Sequence, residues 1–236
     1  MIIRLTNLDI DKIKKGLFNS GSEPCVIMYA DFNVINHIYE SRLEIPINFK
    51  LYPDSTAVYF ILKLFVDNKV AKIVSTDLQH NLLNFLANSG KRIFLFGDSD
   101  EILNKVKITL LERKGSLQLA GFHNGYIYNE YEVIETINKS NSDVLFVGLG
   151  ATRQEKWIIN NYKKLNVKLI ISVGGWFQYL AENKKRAPLF LRRMHLEWFY
   201  KLTKEFKSVW KRYLFGFPFF CYRVVFKKIN FEILDV

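Results

Sequence analysis

Cysteine is almost absent from this chain: Cys25 and Cys221 are its only two, far apart and outside any C-x-x-C pattern. That excludes a disulfide scaffold and a cysteine-based zinc site, and it fits a reducing compartment. Proline is scarce as well, five residues in 236, and no Pro-, Gly- or Ser-rich tract or internal repeat interrupts the sequence. A disordered or low-complexity protein is therefore excluded. Long apolar runs are missing too. The most apolar stretch, YLFGFPFFCY at 213–222, is about half the length of a spanning helix, so it can enter an interface but cannot cross a bilayer. The N-terminal MIIRLTNLDIDKIKKGL mixes charges with apolar residues and lacks the continuous apolar stretch of an export signal, which predicts a cytoplasmic protein. What is present is 49% hydrophobic residues, enough for one large domain, alone or with an appendage.

Acidic residues nearly vanish from one region. Between 184 and 228 thirteen lysines and arginines face only Glu197 and Glu205, which accounts for the whole net charge of +11 and leaves the remainder neutral. The same region is rich in aromatics. Leu196, Phe199, Leu202, Phe206, Val209, Trp210 and Tyr213 recur at spacings of three and four, which predicts one apolar helix face, with Lys201, Lys204, Lys207, Lys211 and Arg212 opposite. Such a stripe either packs on a core or lies in an anionic membrane surface; the second aromatic-basic segment, FGFPFFCYRVVFKK, favours the membrane. The expected membrane contacts are Phe199, Phe206, Trp210, Lys204, Lys207 and Lys211. The chain accordingly divides into residues 1–183, an α/β catalytic domain, and 184–236, a basic aromatic helical appendage without strands.

From about residue 25 to 175, short apolar runs alternate with segments of helical period, the pattern of βα units and a parallel sheet. Strands are predicted at CVIMY, AKIV, RIFLF, SLQLAG, DVLFVG and KLIISVG, and helices at 33–41, 54–66, 77–89, 100–113, 130–140 and 152–163. Asp77 and Thr152, the latter with Glu155 three positions on, read as helix starts. Three segments place polar residues and glycines at the carboxyl ends of strands, where an open sheet binds ligands. In DVLFVGLGATRQEKWI, Gly148 and Gly150 precede a helix start suited to a diphosphate, with Gln154 and Glu155 in its first turn; a plain turn with a capping box is the alternative. In LIISVGGWFQYLAENKKRAP, Gly174 and Gly175 permit close backbone approach. In MYADFNVINHIYE and LYPDSTAVYF, Asp54 is either a general base or a helix cap, and Asn33 either holds a sugar hydroxyl or makes a turn.

In order and spacing, GFHNGY, GLGATRQEKWI, SVGGWFQYLAENKKRAP and LEWFYKL resemble the bacterial WecG/TagA/CpsF glycosyltransferases, glycosyltransferase family 26, over about residues 25 to 215. The resemblance implies a Rossmann-like, mostly parallel sheet flanked by helices with a helical C-terminal appendage, and hexosyl or N-acetylhexosaminyl transfer from a UDP-sugar without cofactor or metal. It implies a polyprenyl-diphosphate-linked acceptor in capsule, O-antigen, exopolysaccharide or teichoic acid synthesis, at the inner face of the cytoplasmic membrane. Matched to the family pattern, Asp54 is the base, Asn33 a donor-sugar ligand and Gln154 a neighbour of the nucleotide, while Lys72 stands where an Arg is usual. Arg186 and Arg212 are candidates to meet the leaving group's charge.

The chain departs from the pattern at Ser55, Gln178, Glu182 and Ser208 and in GDSDE, and Gln178 and Glu182 are the expected seats of altered donor selectivity. Rival readings are a metal-dependent enzyme using Asp98 and Asp100 as a D-x-D pair, and a non-catalytic basic module for membrane or nucleic acid. The expected partners are a UDP-sugar, the lipid-linked acceptor and an anionic membrane, without nucleic acid; a homo-oligomer is allowed.

Overall fold

A computed structural model describes residues 1–16, 23–66, 70, 73–113 and 115–235. In chain order the elements run β1 (Ile2–Asn7), α1 (Ile10–Gly16), β2 (Cys25–Ala30), α2 (Phe32–Glu40), β3 (Lys50–Pro53), α3 (Thr56–Phe65) and α4 (Ser75–Ala87). They continue with β4 (Arg92–Gly97), α5 (Asp100–Arg113), β5 (Gln118–His123), α6 (Glu130–Lys139), β6 (Val144–Gly148), α7 (Arg153–Asn161), β7 (Leu169–Ser172) and α8 (Trp176–Leu180). Four short helices follow, α9 (Leu189–Arg193), α10 (Glu197–Lys204), α11 (Phe206–Lys211) and α12 (Phe217–Val225), before β8 (Asn230–Asp235).

Six strands form one parallel sheet in the order β3-β2-β7-β6-β4-β5. Its inner strands are buried on both faces, which is why CVIMYA, RIFLFG, VLFVG and LIIS read as unbroken apolar runs. The chain leaves β2 outward to β3 and leaves β4 outward to β5 at the other edge, so the carboxyl ends of β2, β7 and β6 flank a topological crevice. The α/β class and the parallel sheet are as the sequence predicts, and the six helices expected in the sheet region lie within two residues of their places.

Four expectations need correction. The edge strand is KLYP, not AKIV: Ile73 makes only an isolated bridge to Asp54, and Ala71 and Lys72 lie outside the described residues. A four-residue strand ending in proline carries too little pattern to stand out. Helix α4 starts at Ser75 rather than Asp77. Strands do not end at Gly175, because β8 pairs in parallel with β1 as a separate two-stranded sheet, a partnership between opposite ends of the chain that local pattern cannot reveal. The single amphipathic helix is also broken. Glu205 leaves helical geometry and pairs with Lys184, and at Arg212–Gly216 the helix widens to a π turn in which the Phe217 N–H donates to the Arg212 carbonyl. Pro218 lacks an N–H, so a strict α repeat could not be kept there.

The C-terminal helices are anchored on the sheet region. Phe220 is fully buried, Asn36 Nδ2 donates to the Gly216 carbonyl at 2.7 Å, and Arg223 donates to Asn36 Oδ1 and Glu40 Oε1, each at 2.7 Å.

Candidate active site

Asp54 follows Pro53 at the carboxyl end of β3, and its N–H donates to the Ala30 carbonyl of β2 at 3.1 Å. It does not cap α3. Ser55 does, at φ +79°, its Oγ accepting from Val58 N. The Asp54 carboxylate turns instead to the start of α4, where Val74 has no capping side chain, and Oδ1 accepts from Ser75 N at 3.1 Å. Burial raises its pKa above the usual carboxylate value, the Ser75 hydrogen bond opposes this, Asp31 adds to the rise and Lys201 offsets part of it. A hydrogen-bonded carboxylate with raised basicity is what proton abstraction requires.

Asp54 opens into a cleft of about 380 Å³ whose other walls include Phe32, Trp198, Lys201, Arg212 and Tyr213. Lys201, expected on an outer face, points into it, and so does Arg212, which the helical period puts on that face although it is also a candidate to meet the leaving group's charge. Lys201 lies 3.7 Å from Glu197; burial opposes its charge, yet Tyr179, Glu197 and Asp54 together raise its pKa. Arg212 donates to Asp31 Oδ2 at 2.6 Å and lies over the Phe32 ring. Asp31 is buried and caps α2, accepting from Asn33 N and Val34 N. Three carboxylates, Asp54, Asp31 and Glu197, and two cations thus meet where the appendage crosses the sheet edge. Arg212, which lines the cleft, buries an Nε that has no acceptor among the described residues, a donor suited to an anion.

The two glycine-terminated loops sit on the same carboxyl edge, β7 and β6 being two and three strand positions from β3, or roughly 10 and 14 Å. They are tied together by Gln154 and Glu155, both fully buried. Glu155 Oε2 accepts from Thr152 N, Gln154 Nε2 donates to Glu155 Oε1 at 2.7 Å, and Gly174 N donates to Gln154 Oε1 at 2.9 Å. Burial pushes the Glu155 pKa up to about 7 against the opposing hydrogen bonds of Gln154 and Thr152. Their side chains hold the loops rather than opening to solvent. Gly150 (φ +83°) and the exposed Gly175 have open space beside them, so their backbones remain approachable, whereas Gly148 and Gly174 are packed against Phe177 and Tyr29.

Of the other predicted residues, Asn33 is half-buried in the first turn of α2, beside Asp31, and Lys72 lies outside the described residues. Gln178 Nε2 donates to Asp98 Oδ2 at 2.6 Å, while Asp100 accepts from Asn124 and Glu182 pairs with Arg113. The D-x-D carboxylates are therefore engaged by side-chain amides, and Ser99 rather than Asp98 opens α5. Arg186 pairs with Asp77 at 2.8 Å. Phe199, Phe206, Lys204, Lys207 and Lys211 are exposed, and Trp210 is half-buried against Phe206.

Sequence reading missed Asp31, Tyr29, Lys201 and Tyr213 as site residues. Asp31 carried a signal, a carboxylate between a buried strand and a helix; Lys201 was hidden in a run of similar lysines.

Fold and cleft together are those of an α/β transferase working at the carboxyl edge of a parallel sheet. Residues 18–233 match the glycosyl transferase WecG/TagA/CpsF family, and the chain belongs to it. It is a glycosyltransferase. An N-acetylglucosaminyldiphosphoundecaprenol N-acetyl-beta-D-mannosaminyltransferase of Bacillus subtilis (strain 168) is 34% identical over 165 residues, 70% of this chain but 64% of that relative, just under two thirds of its length. Proteins of the same description from Staphylococcus aureus strains MW2 and MRSA252 are each 27% identical over 220 residues, 91% of this chain and 85% of theirs.

Proposed function

We propose that this protein transfers an N-acetylhexosamine-type sugar from a UDP-sugar to a polyprenyl-diphosphate-linked glycan, in an inverting displacement with Asp54 as base. The observation that carries this reading is the Asp54 carboxylate, held by Ser75 N and facing the cleft beside Lys201 and Arg212. The acceptor oxygen attacks the anomeric carbon, its proton passes to Asp54, and the bond to UDP breaks with both electrons leaving on the diphosphate. The amides of the Gly150 and Gly175 loops and the cations Lys201, Arg186 and Arg212 would meet that charge, since preorganised electrostatics supplies most of such a barrier reduction. The names of the relatives, which pair an N-acetylmannosaminyl donor group with an N-acetylglucosaminyl-diphospholipid acceptor, support the same class of substrates here. No metal enters this scheme, and turnover in excess chelator is its expected outcome.

Asp54→Asn should lower kcat about a thousandfold, within the range for general-base loss, while UDP-sugar binding measured by calorimetry stays within twofold. Because the Asp54 pKa is raised, the acidic limb of kcat/KM should fall above the usual aspartate value of 3.8. Undiminished turnover by Asp54→Asn, or an acidic limb at or below that value, counts against the assignment.

The appendage is read as the membrane-facing part. Among the described residues no helix is long and apolar enough to cross a membrane, whereas Phe199, Phe206, Phe215, Phe219 and Phe226 are all exposed.

A further inference from the structure

Helix α3 begins directly after the Asp54–Ser55 turn, and its first residues, Thr56 and Ala57, line the cleft. Its sequence TAVYFILKLF is apolar apart from Thr56 and Lys63 and contains no acidic residue. Only Val58 and Leu62 are buried, one stripe four residues apart. The opposite stripe, Phe60 and Leu64, together with Phe65, is left in water, Leu64 at 74% exposure. Three large apolar side chains side by side in water form a patch that normally has a partner, so this helix lacks something to cover it.

The missing cover is indicated by what lies around it. α12 packs against α3, and the Phe60 ring meets His195 edge-on at 5.8 Å. The exposed Phe219, Tyr222 and Phe226 of the α12 region and Met194 after α9 therefore belong to the same side of the molecule. Among the described residues the exposed cations there are Lys63 on α3 and Lys227 and Lys228 after α12, while the one exposed carboxylate beside α12, Glu40, is already paired with Arg223. A second copy presenting the same surface would bring like charges together, whereas anionic headgroups would neutralise them. Aromatic and aliphatic side chains framed by lysines have the composition of an interfacial lipid binder.

We propose that α3 is itself a lipid-contacting helix of the sheet domain, so that the membrane is gripped on both sides of the cleft and the diphosphate-linked sugar of a lipid-linked acceptor reaches Asp54 along α3. This rests on the transferase reading above for the acceptor, but not for the lipid contact. The consequence is that attachment is not confined to the appendage.

The test uses the full chain with Leu64→Glu, and as control Ile127→Glu, which alters a residue 83% exposed near the opposite sheet edge. Flotation with equimolar phosphatidylglycerol and phosphatidylcholine vesicles should show about a tenfold loss of binding for Leu64→Glu and none for Ile127→Glu. Turnover of a short-chain, water-soluble acceptor should stay within twofold of the wild type, and turnover of a long-chain acceptor in vesicles should fall with the binding. Both changes are at exposed positions, and equal thermal midpoints check that the fold is kept. Unchanged flotation of Leu64→Glu overturns the proposal, and so does a dimer that it dissociates without affecting flotation. Equal loss on both acceptors with intact flotation also overturns it, making α3 a wall of the active site only. If no acceptor is turned over by the wild type yet flotation separates the two variants, the transferase reading fails and the lipid contact stands.

Discussion

At Glu155 stability and ionisation oppose one another. The ionised carboxylate can accept from both Thr152 N and Gln154 Nε2, and protonation leaves only one oxygen a good acceptor. Burial nevertheless lifts its folded pKa to about 7 from an ordinary 4.5. Between those values the folded protein holds a proton that the unfolded chain has released. The stabilisation is therefore complete below about pH 4.5 and is lost as pH rises through 7, a change of about 3 kcal/mol. Urea unfolding of wild type and Glu155→Gln at pH 5 and pH 8 should show the difference between them moving by that order in favour of the variant at the higher pH. A difference independent of pH would mean that Glu155 titrates like an exposed glutamate.

Elements, rather than single residues, carry the loop geometry. Gly174 stands at φ +54° after β7, and a Cβ there would come within 2.6 Å of Tyr29 Oη on β2. Gly174→Ala should cost about 2–4 kcal/mol through the combined strain and overlap. In a Tyr29→Phe background the hydroxyl is gone and only the strain and ring contact remain, so the same substitution should cost less. A double-mutant cycle in urea measures this coupling, and additive effects would show that the two elements do not press on one another. The interior strands and helices were legible because period and burial agree along each stretch. So were the places of Asp54, Gly150 and Gly175 beyond strand carboxyl ends, which are marked by proline or by glycine. The roles of Gln154 and Glu155 as ties between loops were not legible, because the Gly174 amide they reach is twenty residues away. The inward turn of Arg212 was hidden for a related reason. Helical period alone assigned it to the outside, and Asp31, which draws it in, is 181 residues earlier.

On the scale of the whole molecule, truncation is a poor way to ask what the basic region does. Removing residues 192–236 would also remove Phe220 from the core, the Arg223 clamp on α2 and the β8 partner of β1. Lost activity would then report unfolding as readily as detachment. Charge offers a cleaner probe, because Lys207 and Lys211 are exposed and neither forms an ion pair among the described residues. A lysine near an anionic surface contributes about 1 kcal/mol, so each Lys→Gln change should weaken binding to phosphatidylglycerol vesicles about fivefold. The double variant should also lose part of the salt dependence, since fewer charges remain to be screened over a Debye length of about 8–10 Å. Thermal midpoints and donor binding should be unchanged, because neither side chain lines the cleft. Vesicle affinity that is indifferent both to salt and to these two lysines would remove the electrostatic part of the attachment, leaving the exposed aromatic residues and α3 to hold the protein on the lipid by apolar contact alone.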